Sequence, residues 1–149
     1  MKKIHPVAGA LALVTLVSFW LSTAFSELAG GPEVITAVKS AIPYGLLLLI
    51  PALAVAGASG MKLGAEWKSP LVVAKKKRMP FIALNGILVL IPSCFVLRHL
   101  AINGDFGPLF YAVQALELAA GAVNIVLLTL NMRDGLRMRL RRRITPAAP

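Results

Sequence analysis

Histidine and cysteine, on which most haem, zinc and redox sites depend, occur three times between them in 149 residues, as His5, His99 and Cys94. One cysteine excludes an intrachain disulfide and any C-x-x-C metal or redox motif. The two histidines lie near opposite ends of apolar runs, about 30 Å apart across a bilayer, so one protomer holds no bis-histidine haem. A His5 and Met79 pair at one end is the haem arrangement that is left. Also missing are a Walker glycine loop, H-E-x-x-H, G-x-S-x-G and any metal-spaced cluster of His and carboxylates. Hydrolytic chemistry is therefore disfavoured, and neither catalytic residues nor a metal site are expected.

Acidic residues are scarce as well: six, against sixteen Lys and Arg, for a net charge of +10. On a soluble face that balance would point to nucleic acid. Here the basic residues lie between and after apolar segments, so they read as topology signals and no nucleic-acid partner is expected. With 58% hydrophobic and 15% charged residues and a mean hydropathy of +0.78, the chain is too apolar for an ordinary soluble domain.

The segment 61–78 organises the rest. It holds six basic residues and is flanked by long apolar runs that cannot share its water. Four membrane helices are predicted, over about 6–28, 34–58, 79–100 and 108–131, with a basic connector at 61–78 and a basic tail at 132–149, all in one transmembrane domain (1–149). Gly30-Gly31-Pro32 and Asn103 to Pro108 mark the other two turns, with Pro108 suited to a first helical position. Pro43 and Pro51 predict kinks in the second helix. Ala52, Ala56 and Gly60 form a small-residue stripe that lets a neighbour approach. Gly135 either ends the fourth helix or is passed over by a basic extension.

The first helix competes with a cleaved signal peptide, for which Lys2 and Lys3 would be the n-region and Ala24-Phe25-Ser26 the cleavage site. Bulky Phe19 and Trp20 late in the run favour retention. Fourteen of the sixteen basic residues fall on one side, leaving Lys39 and Arg98 for the other. The positive-inside rule then places both termini in the cytoplasm of a bacterial-type inner membrane. Landmarks recur in register: Lys2 to Pro6 with Lys76 to Pro80, Gly31-Pro32 with Gly107-Pro108, and Gly60 to Leu63 with Gly135 to Met138. They predict an all-α four-helix bundle of two duplicated hairpins in parallel topology.

Polar residues inside the runs are the candidate site. Gln114, Glu117, Gly121, Asn124 and Asn131 fall on one seam of the fourth helix. Glu117, about 13 Å inside Pro108, needs a partner, a proton or water. It either handles protons or locks helix 4 to helix 1 through Ser18, Ser22 or Ser26. Counting depth puts Ser18, Ser22, Tyr44, Ser93, Gln114 and Glu117 in an outer layer, with Glu27, Lys39, Arg98 and His99 at its rim. Asn85 and Asn124 form an inner layer. No cofactor is expected, and a quinone in the outer layer is the alternative to haem. Lys75, Lys76, Lys77, Arg78, Arg137, Arg139, Arg141, Arg142 and Arg143 are expected to meet anionic lipid headgroups. The leading expectation is a non-catalytic accessory, assembly or scaffold subunit that meets another membrane protein or a second copy of itself. The alternatives are a quinone or cofactor binder and a dimeric proton-coupled carrier.

Overall fold

The computed structural model describes residues 4–64 and 70–144, with side chains to 138. The expectations for Lys2 and Lys3, for residues 65–69 of the basic connector, and for the side chains of Arg139, Arg141, Arg142 and Arg143 lie outside the described residues. Every described element is helical: α1 (Ile4–Ala29), α2 (Pro32–Gly64), α3 (Pro70–Asn85), a π-helical turn (Gly86–Leu90), α4 (Ile91–Ile102) and α5 (Pro108–Ile144). The segment α3–π–α4 is one continuous rod. The described residues thus form four helices long and apolar enough to cross a membrane, the architecture of a multi-pass membrane protein.

Proline and glycine set the ends. Pro32 and Pro108 open α2 and α5, where a missing N–H costs nothing. Gly30 closes α1, its N–H donating to Ser26 O at 3.0 Å; a Cβ there would lie 2.6 Å from the same oxygen. After α4, Gly104 takes φ +68°, and the bonds Gly104 N to Ala101 O and Asp105 N to Leu100 O form a Schellman stop. Asp105 Oδ1 then accepts from Gly107 N just ahead of α5.

The helices outrun the predicted bounds of 34–58, 79–100 and 108–131. Part of 61–78 is helical, in α2 and in α3, and α5 passes over Gly135 into the basic segment. Hydropathy marks the length a bilayer can hold, whereas Lys, Arg, Leu and Met are all good helix formers and carry the backbone on into water. α2 stays helical through Pro43 and Pro51. The π turn sits just before Pro92, which has no N–H and whose ring would collide with the preceding turn. Ile91 N bonds Gly86 O five residues back, widening the helix where the strain would fall.

The four rods form a ring. α1 packs on α2 and α5, and α3–π–α4 packs on the same two, while the backbones of α2 and α5 face each other across a diagonal without touching. Small residues allow the close approaches: a methyl group at Gly45 would overlap the Phe19 ring, and one at Gly121 would lie 3.0 Å from Trp20 Cδ1. Ala52 and Ala56 are buried and Gly60 faces the His5 ring, as the stripe predicted. α5 runs through every layer by the seam Phe110, Gln114, Glu117, Gly121, Asn124, Leu128 and Asn131, alternating steps of four and three. One apolar layer joins Ile35, Leu97, Ala101 and Phe110; another joins Ala12, Leu16, Leu49, Ala52, Ile82 and Leu128. Large apolar side chains such as Val14, Phe25, Leu47, Phe81, Leu88 and Val123 point outward, where lipid is their solvent.

Candidate functional site

Between the two apolar layers lies a charged one. Lys39 on α2 is 1% exposed and crosses the diagonal to Glu117 on α5, its Nζ lying 2.5 Å from Glu117 Oε2. Those two backbones do not touch, so the link across the diagonal is made by the two side chains. Nζ also donates to Thr23 Oγ1 on α1 at 3.4 Å, and Gln114 Nε2 donates to Glu117 Oε2 at 3.4 Å. Glu27 on α1 and Cys94 on α4 lie within Coulombic range of both Lys39 and Glu117, and Arg98 on α4 lies within range of Cys94. Each rod thus brings one charged side chain to this layer: Glu27, Lys39, Arg98 and Glu117. Their formal charges cancel.

Three buried atoms of this cluster have no hydrogen-bond partner among the described residues: Glu27 Oε1, Gln114 Oε1 and Arg98 Nε. Two are acceptors and one is a donor.

Below it, Trp20 Nε1 donates to Leu118 O at 2.9 Å, tying α1 into the bundle as a packed wall. One step further, Asn85 Nδ2 donates to Asn124 Oδ1 and to Ala120 O, each at 2.9 Å, and Asn124 Nδ2 returns a bond to Ile82 O. The inner polar layer is therefore a closed network. At the opposite end of the bundle, Arg78 Nη1 bonds buried Asp134 at 2.7 Å and Asn131 Oδ1 at 3.4 Å. His5 Nδ1 lies 3.0 Å from both Ala56 O and Ser59 Oγ; the Ser59 hydroxyl donates to Val55 O, which makes Nδ1 the donor to both.

The predicted site residues divide accordingly. Gln114 and Glu117 meet in the outer layer, Asn85 and Asn124 pair in the inner one, and Ser93 is buried. Ser22 and Tyr44 face outward, and His99 is exposed beside Asn103. Glu117 reaches Lys39 rather than a serine: Ser18 and Ser26 turn to carbonyls of their own helix, at Val14 and Thr23. Thr23, absent from the predicted site, lies beside Lys39, which belongs to the centre rather than the rim. The signal was present, since Lys39 and Glu117 are opposite charges at similar depth, seven residues past Pro32 and nine past Pro108.

Of the basic set, Lys76, Lys77 and Arg137 are exposed, Lys75 is half-buried against Gly135, and Arg78 is held by Asp134. The Met79 sulfur accepts from Asn131 Nδ2 at 3.5 Å, while the His5 ring turns to α2. Among the described residues no three His, Cys, Asp or Glu side chains gather as a metal set. Compared with protein-family models, curated proteins and solved structures, the chain matches none.

Proposed function

We propose that this chain is a non-catalytic accessory, assembly or scaffold subunit of a bacterial-type cytoplasmic membrane, built from two duplicated hairpins with both termini in the cytoplasm. The observation that carries the reading is where its polar groups go. Lys39 with Glu117, Asn85 with Asn124, and Arg78 with Asp134 are all cross-helix bonds that fix the bundle from within. The outer surface is left almost wholly apolar for lipid or a protein partner. Exposed Lys76, Lys77 and Arg137 sit where anionic headgroups are expected, at about 1 kcal/mol each. The test is photo-crosslinking in native membranes from Tyr44 and Phe81, two exposed positions. A reproducible protein adduct, to another membrane protein or to a second copy, is the expected result. Adducts to lipid alone from both positions would remove the scaffold reading.

A proton-coupled carrier is the second reading, and the buried Lys39 and Glu117 pair favours it, because ionisable groups inside membrane helices mark ion and proton paths. A quinone site draws less support, since Ser22, Tyr44 and His99 point away from Gln114 and Glu117. Quinone recovered in stoichiometric amount with the purified protein would reverse that order.

A further inference from the structure

The charged layer holds two carboxylates treated unequally. Glu117 receives the Lys39 ammonium at 2.5 Å and an amide N–H from Gln114 at 3.4 Å. Glu27 has a buried oxygen with no donor among the described residues. Yet Glu27 stands one helical turn above Thr23 on the same face of α1, and Thr23 Oγ1 is already a contact of Lys39 Nζ. The ammonium therefore sits between an α1 face carrying Thr23 and Glu27 and an α5 face carrying Gln114 and Glu117. Gln114, 3% exposed, has a carbonyl oxygen without a donor, and Arg98 has an Nε–H without an acceptor. A protonated carboxyl or a water supplies the donors that Glu27 and Gln114 lack, and water also accepts from Arg98.

We propose that this layer is a proton-binding site in which Lys39, paired with Glu117, faces a second carboxylate, with Glu27 taking up and releasing the proton. The proton comes from water at that end of the bundle: a hydronium ion gives it to Glu27, leaving a neutral acid and water. On release, Lys39 is the cation that Glu27 turns to. The charged groups facing Glu27 are Lys39 from α2 and Glu117 from α5. Glu33 on α2 is exposed. The site goes beyond scaffolding and does not require that a solute be carried.

The test is pH-difference infrared spectroscopy of the full chain in lipid, read at the carbonyl stretch of a protonated carboxyl. Wild type should show such a band that fades as pH rises, and Glu27→Gln should lose it. Glu117→Gln leaves Lys39 with Glu27 as its one carboxylate partner, so the band should persist with its midpoint moved about one to three pH units lower. Glu27→Asp should keep the band at an altered frequency, which preserves the assignment if Glu27→Gln does not fold. The proposal is overturned by a wild type with no titrating band, by a band unchanged in both Glu27 variants, or by a midpoint that Glu117→Gln does not move.

Discussion

Lys39 links α2 to α5 across a diagonal on which the two backbones do not meet. Removing one partner of a buried ion pair leaves the other charge buried alone, at a cost of about 3–5 kcal/mol, whereas replacing both with apolar groups is often neutral or stabilising. Lys39→Met and Glu117→Leu should therefore each lower the unfolding temperature in detergent. The double variant should recover most of the loss, giving a strong coupling in the cycle. Purely additive losses would mean that the pair does not act as a unit. Glu117→Gln keeps the hydrogen-bonding shape and should fold.

The critical contacts between elements are made by what is missing from a side chain. Gly45 and Gly121 let Phe19 and Trp20 of α1 lie against α2 and α5 respectively. Alanine raises intrinsic helix stability by about 1 kcal/mol over glycine, but overpacking a well-filled contact costs about 1–3 kcal/mol. Gly45→Ala should accordingly destabilise the α1–α2 hairpin despite its better propensity, seen as a lower unfolding temperature. Phe19→Ala introduced beside it should relieve the clash, and an unfolding temperature raised by Gly45→Ala alone would contradict the packing account. The Asn85 and Asn124 network is a second link between elements. Interhelical bonds in membranes average about 0.6 kcal/mol, so Asn124→Leu should weaken the contact of α3 with α5 only modestly in the same assay.

At the scale of the whole molecule, the charge distribution makes an orientation testable. Among the described residues, the basic Lys39 and Arg98 lie toward the end that carries Glu33 and Asp105, and Lys39 is buried there beside a carboxylate. With Cys94 replaced by Ala, Lys62→Cys should be shielded from an impermeant thiol reagent in intact cells, and Glu33→Cys should be labelled from outside. Both residues are exposed in the fold, so access decides the result. Labelling of Lys62→Cys with protection of Glu33→Cys would invert the topology.

Composition, run length and helix-end chemistry determined the class of this protein by themselves. Long apolar runs have one stable solution in lipid, the helix, and Gly and Pro punctuate it locally, so the four helices, their turns and the buried seam of α5 were legible residue by residue. Where the helices stop in water was not legible, because hydropathy is silent once the chain leaves the bilayer. Nor did depth counting distinguish Ser22 and Tyr44, which face outward, from Thr23 and Lys39, which face inward. Depth is a one-dimensional quantity, and rotation about each helix axis is set by packing against neighbours. The ring order of the four rods placed α2 and α5 on a diagonal, and only that tertiary arrangement decided that Lys39 answers Glu117 while Glu27 is left without a donor.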